Sequence, residues 1–340
     1  MMIKKFFIAL LLVTLTSPAL AYNKMPGKGI TVKPARANWS TAYFHETIVR
    51  KGLAALGYTV KKPKELAVPL FYKSVTLGDI DYWPNGWFPL QDTYIETGKG
   101  KISMVGYVLK QQGLQGYLVD KKHADSLKIT SLDDFKRPEV RKAFDKDGDG
   151  KADLTGAPHG WQVVNTINDH IKEYGLENDV EQVSASYEAA MAANVGAAKN
   201  GEPIFYYSWT PSWTVFKLKP GRDVVWINVP YNIAPSGTKK ELEHMTISNL
   251  QGAVSNPLKM GFVVADIRVV ANDKFLEKNP AAKKFFEIFT MKLDDLNAQY
   301  AKMMDGEKSK RDINRHADEW IAANKPEWEN WLEQARQAAD

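Results

Sequence analysis

Three tryptophans sit in neighbourhoods that suit a ligand-facing role. Trp87 lies in Asn85-Gly-Trp-Phe-Pro-Leu-Gln91, Trp161 in Pro158-His-Gly-Trp-Gln162 and Trp209 in Tyr206-Tyr-Ser-Trp-Thr-Pro211. A Trp is costly to expose and usually fills a core, so each also has a plain structural reading. Gly and Pro beside each one indicate loops or strand ends instead, where ligand-facing side chains sit on an α/β scaffold. Trp83 and Trp213 flank two of these segments and could exchange roles with Trp87 and Trp209. Such rings suit a cation without N–H groups. Its methyl groups spread the charge, a carboxylate partner gains no hydrogen bond, and aromatic faces offer a matched negative potential.

A second cluster of chemistry-bearing residues is Asp145-Lys-Asp-Gly-Asp-Gly-Lys-Ala-Asp153. Asp145, Asp147, Asp149 and Asp153 fall at positions 1, 3, 5 and 9 of a calcium-type loop, with Gly150 at its sharp turn. Position 12 is Gly156 rather than the bidentate Glu of a helix-loop-helix site, so that match fails. The alternatives are a shorter structural calcium loop and a polar Asp/Gly turn, and no metal is assigned to the functional site. Four close carboxylates would repel one another without a cation. Catalytic signatures are missing. The chain has no Cys, no Gly-x-Ser-x-Gly, no His-Glu-x-x-His and no phosphate loop, and His45, His123, His159, His170, His244 and His316 show no metal-ligand spacing. A binder that needs no cofactor is expected, not an enzyme.

The elements that must position these groups alternate. Ile30 to Pro34 is strand-like, Asn38 to Leu56 carries apolar residues at helical spacing, Gly57 stops it, and Tyr58 to Val60 is again strand-like. That β-α-β rhythm belongs to an α/β sheet. Gly116 to Asp120, Pro203 to Tyr207, Asp223 to Val229 and Gly261 to Val270 read as further strands, and Ser186 to Lys199 and Pro280 to Phe289 as helices. Ile313 to Ala339 reads as an amphipathic helical tail anchored by Trp320, Trp328 and Trp331.

The first 21 residues read as a secretory signal: Lys4 and Lys5, the apolar run Phe6 to Leu15, then Ala19-Leu20-Ala21 before a cut ahead of Tyr22. The run is much shorter than the roughly 20 residues of a membrane span, so the mature chain is not expected to be membrane-embedded. With no Cys to carry a lipid anchor, a Gram-negative periplasm is the expected compartment. Cleavage would leave about 319 of the 340 residues, long enough for two lobes. It would also take the formal charge from +5 to about +3, with basic and acidic residues interspersed, which does not imply nucleic acid. Gly-rich, polar Gln111 to Gly116 and the stretch Ser255 to Gly261 are the expected crossings. They divide the chain into lobe 1, residues 22–112 plus 262–340, and lobe 2, residues 113–261.

Several segments together resemble the ProX-type glycine betaine/proline betaine-binding proteins of osmoprotectant ABC transporters. They are Pro26-Gly-Lys-Gly-Ile-Thr-Val32, Leu56-Gly-Tyr-Thr-Val60, Gln115-Gly-Tyr-Leu-Val-Asp-Lys121, Asp147-Gly-Asp-Gly-Lys-Ala-Asp-Leu-Thr-Gly156, Phe205-Tyr-Tyr-Ser-Trp-Thr-Pro211, Pro220-Gly-Arg-Asp-Val-Val-Trp226 and Asn279-Pro-Ala-Ala281. The resemblance implies the type II periplasmic-binding-protein fold: two hinge-linked α/β lobes with the ligand between them. It places the family's box tryptophans at Trp87, Trp161 and Trp209, and aligns the family histidine with Gln91 and a Gly-Cys pair with Gln162-Val163. Backbone N–H groups at Gln162 and Val163 and the Gln91 amide can still donate to a carboxylate, but a possible imidazolium charge is lost. His159 either restores it or is a surface residue. The implied ligand is a quaternary-ammonium solute such as glycine betaine, with proline betaine, choline, a sulfonium analogue, an amino acid or a sugar as alternatives. The implied partner is an ABC permease with a cytoplasmic ATPase, served by a monomeric binder.

Overall fold

One 19-residue strand, Ile102–Asp120, belongs to both halves of the molecule. The computed structural model describes residues 25–234 and 239–340, and the expected signal segment and its cleavage point lie outside them. In chain order the strands are β1 (Thr31–Val32), β2 (Ala35–Ala37), β3 (Thr59–Val60), β4 (Lys64–Leu66), β5 (Tyr82–Phe88), β6 (Ile102–Asp120), β7 (Ala152–Thr155), β8 (Val180–Val183), β9 (Phe205–Thr210), β10 (Val224–Ile227), β11 (Thr246–Ile247), β12 (Leu258–Lys259) and β13 (Ala265–Asn272). The main sheet runs β5-β13-β6-β9-β7-β8, with β10 also paired to β6.

The sheet changes partners along β6. Residues up to Gly113 pair antiparallel with β13, which pairs on its other side with β5. From Leu114 onwards β6 pairs antiparallel with β9 and β10, and β7 then joins β9 and β8 in parallel. Two α/β lobes therefore share one strand. The polar, Gly-rich residues expected as a crossing form continuous strand at this point. A strand tolerates Gly where another backbone comes close. At Gly113 a Cβ would lie 2.8 Å from the Ala265 carbonyl oxygen and 3.1 Å from the Trp87 ring.

Helix Tyr43–Ala55 packs on β5 and on the C-terminal helix Lys310–Ala323. The tail expected as one helix is two, Lys310–Ala323 and Lys325–Gln337. Pro326 lacks the N–H that a continuous helix would use and its ring clashes with the carbonyl four residues back, so it stands in the first turn of a new helix. Ser309 and Asp312 form a capping box at the start of the first. Trp328 and Trp331 are buried against Phe285 and Phe289, at 6.1 and 5.4 Å between ring centroids. Trp320 is only half-buried; it stacks on Trp331 and donates to Asp295 Oδ2 at 2.9 Å. The same C-terminal segment reaches the other lobe, because helix Leu293–Met304 packs on helix Trp213–Lys217. There the Ser212 N–H donates to Asn297 Oδ1 at 3.1 Å and Lys217 pairs with Asp305. Among the described residues, no helix is long and apolar enough to cross a membrane.

Candidate functional site

Alternation along β9 aims Phe205, Tyr207 and Trp209 to one side. Phe205 stacks on Phe135 in the lobe's interior, while Tyr207 and Trp209, nearer the carboxyl end, line a cleft. Gln115 is opposite Trp209 on β6, and its Oε1 accepts from the Tyr207 hydroxyl at 2.7 Å. On β5 the register slips by one residue: Trp83 pairs with Val270 but Gly86 with Arg268. Such a bulge re-aims a side chain. Trp83 is wholly buried with Phe71 at 4.1 Å in one hydrophobic cluster, and Trp87 belongs to another and lines the cleft. The Trp87 indole N–H donates to Asn85 Oδ1 at 2.7 Å.

Gln91 follows closely and is 2% exposed. Its Oε1 accepts from the Tyr72 hydroxyl at 2.8 Å and from the Trp87 backbone N–H at 3.2 Å. These bonds use the oxygen, so the amide N–H groups are the end left to face the cleft; they make no hydrogen bond among the described residues. Trp161 enters from a turn in which Gly160 has φ +92°, a conformation that glycine adopts without strain. The chain then begins helix Val163–Glu173, with Gln162 as its N-cap. The N–H groups of Gln162 and Val163 belong to the unpaired set at a helix start and find no acceptor among the described residues.

All six residues expected at the site, Trp87, Gln91, Trp161, Gln162, Val163 and Trp209, line this one cleft. Trp161 meets Trp209 edge to face at 5.4 Å and 74°. Tyr187 backs both, 5.6 Å from Trp161 and 4.7 Å from Trp209. Trp213 is buried outside the cleft, and His159 is exposed and does not line it. Sequence reasoning missed Trp39, Gln115 and Tyr207 as lining residues. Trp39 packs edge to face on Trp161 at 5.5 Å and 67°, which makes it a further aromatic wall. It has neither Gly nor Pro beside it; its only signal was a Trp at the start of a predicted helix.

Among the described residues, no Asp, Glu, Lys, Arg or His lines the cleft. Its indole faces can attract a cation without offering it a proton acceptor of full charge. Its unpaired N–H groups, reinforced by the helix start, can hold an anionic oxygen. The acidic loop lies elsewhere. Asp145, Asp147 and Asp149 bring oxygens within 4.8 Å of one another, as do Asp147, Asp153 and Glu181. Backbone N–H groups serve them: Gly148 and Gly150 donate to Asp145 at 2.7 and 3.0 Å, and Lys146 donates to Asp153 at 2.6 Å.

The family of substrate-binding domains of ABC-type glycine betaine transport systems (OpuAC) matches residues 30–323. The glycine betaine/proline betaine-binding periplasmic protein of Escherichia coli (strain K12) is 40% identical over 324 residues, 95% of each chain. The glycine betaine-binding periplasmic protein OusX of Dickeya dadantii (strain 3937) is 40% identical over 332 residues, 97% of each chain. Among solved structures, lactococcal OpuAC in its closed, glycine betaine-bound form superposes with a TM-score of 0.66 at 18% identity, covering 89% of this chain and 99% of that one. An ABC-transporter choline-binding protein with choline superposes at 0.68 and 19% identity, covering 91% and 96%. The likeness to these structures establishes the two-lobe fold. The family and the relatives named are solute-binding transport proteins, not enzymes.

Proposed function

The chain belongs to the family of substrate-binding domains of ABC-type glycine betaine transport systems, and from that membership we propose that its cleft captures glycine betaine or a close quaternary-ammonium zwitterion in the periplasm and delivers it to an ABC permease with a cytoplasmic ATPase. Trp87, Trp161 and Trp209, with Trp39 beside them, surround the methylated cation. The N–H groups of Gln91, Gln162 and Val163 take the carboxylate. Residues 22–112 with 262–340 form one lobe and 113–261 the other, so each supplies part of the cage. The observation that carries this reading is an uncharged cleft walled by indoles with unpaired N–H donors at one end. Two relatives agree, since proteins 40% identical to it bear names that specify glycine betaine.

The magnitudes suffice. A desolvated cation–π contact contributes up to about 2 kcal/mol, so three faces and an anchored carboxylate reach the roughly 8 kcal/mol of micromolar binding. Calorimetry with glycine betaine, proline betaine, choline and a sulfonium zwitterion tests the proposal. Trp87→Ala, Trp161→Ala and Trp209→Ala should each weaken glycine betaine binding by roughly 10- to 30-fold per folded molecule. If all three folded variants bind normally, the tryptophans are packing residues and the reading fails.

A further inference from the structure

Just outside the cage, one carboxylate receives donors from both lobes. Glu188 Oε1 accepts from the Ser40 hydroxyl at 2.5 Å, and its Oε2 accepts from the Trp213 indole N–H at 3.0 Å. Ser40 opens the turn Ser40–Ala42 that leads into helix Tyr43–Ala55 on β5. Glu188 is in the first turn of helix Tyr187–Lys199, which packs on β7, and Trp213 begins the helix after β9. Each member lies close in the chain to a residue that lines the cleft or backs its wall. Ser40 follows Trp39, Glu188 follows Tyr187, and Trp213 comes four residues after Trp209.

We propose that Ser40, Glu188 and Trp213 form a clasp that joins as the lobes close and sets how long the ligand stays, by holding Trp39 against Trp161. The inference rests on the cage reading above. The bond to Trp213 lies within one lobe and keeps the carboxylate poised whether the lobes are open or closed. The bond to Ser40 crosses between lobes and must break on opening, together with the Trp39–Trp161 contact at 5.5 Å. A hydrogen bond to an ionised acceptor is stronger than a neutral one, and Glu188 is only half-buried, so water competes for it in the open form. The clasp therefore acts on escape, not on entry, as most changes at an interface do.

Stopped-flow tryptophan fluorescence with glycine betaine tests this on the full chain. Ser40→Ala and Glu188→Gln should each raise the dissociation rate roughly 10-fold, the loss of one charge-assisted hydrogen bond. The association rate should stay within about twofold. The double variant should release ligand no faster than the faster single, because both act on the same charge-assisted bond. The ligand-free melting temperature of Ser40→Ala should match the parent, which a merely structural role would not predict. A wild-type dissociation rate in Ser40→Ala, or effects that multiply in the double variant, would overturn the clasp. Trp161→Ala separates the two proposals. If it loses glycine betaine while Ser40→Ala releases it at the parental rate, only the clasp is wrong; if it binds normally, the cage falls and the clasp with it.

Discussion

Gln91 shows how a neutral side chain can do oriented work. Two donors, the Tyr72 hydroxyl and the Trp87 N–H, fix its oxygen, and the remaining N–H groups are aimed by elimination. On the proposed function, Gln91→Ala should weaken glycine betaine binding by about 0.5–1.5 kcal/mol, less than loss of any cage tryptophan, because the N–H groups of Gln162 and Val163 would still face the carboxylate. Gln91→Glu should cost the zwitterion far more and choline little, since choline brings no carboxylate to be repelled. Calorimetry with the two ligands separates these outcomes. The three main tryptophans could be read from their Gly and Pro neighbours together with the family resemblance. Trp39 could not, because its place is set by contact with Trp161 across the cleft, and sequence carries no local mark of such a contact.

Among elements, the tryptophans divide by where their strand or helix puts them. Trp331, on helix Lys325–Gln337, is 4% exposed and packs on Phe289, far in function from the cage. Trp331→Ala should lower stability by about 3–5 kcal/mol through the cavity it leaves, with glycine betaine affinity per folded molecule unchanged. Denaturant unfolding beside calorimetry checks both halves. Most element types followed from periodicity, as with helix Tyr187–Lys199 and strand β13. What periodicity could not give was the slip in β5 that sends Trp83 and Trp87 into different clusters, since a bulge depends on the partner strand. It also missed the break in the tail, where the amphipathic pattern suggested one helix and Pro326 decided for two.

For the molecule as a whole, buried ionisable groups couple stability to pH in opposite senses. Burial pushes His45 down to about 3 and His170 down to about 4, so their contribution is present above the ordinary value of 6.5 and is lost as pH falls toward 4 and below. Burial pushes Glu46 up to about 7, and one of its oxygens has no partner beyond the proton it would carry. Its contribution is present below the ordinary 4.5 and is lost as pH rises through about 7. The melting temperature of Glu46→Gln, measured against the parent, should therefore gain between pH 4.5 and about 7 and level off above it; a constant difference across that range would mean that Glu46 titrates normally. The shared strand has a further, mechanical meaning. β6 and β13 run side by side up to the Gly113–Ala265 pair, laced by hydrogen bonds, where the lobes meet. Two laced ribbons bend readily across their faces but resist shear and swivel. If the lobes proposed above close about this joint, they do so with close to one degree of freedom, and each closing stroke would return the indoles of the two halves to the same alignment without a search.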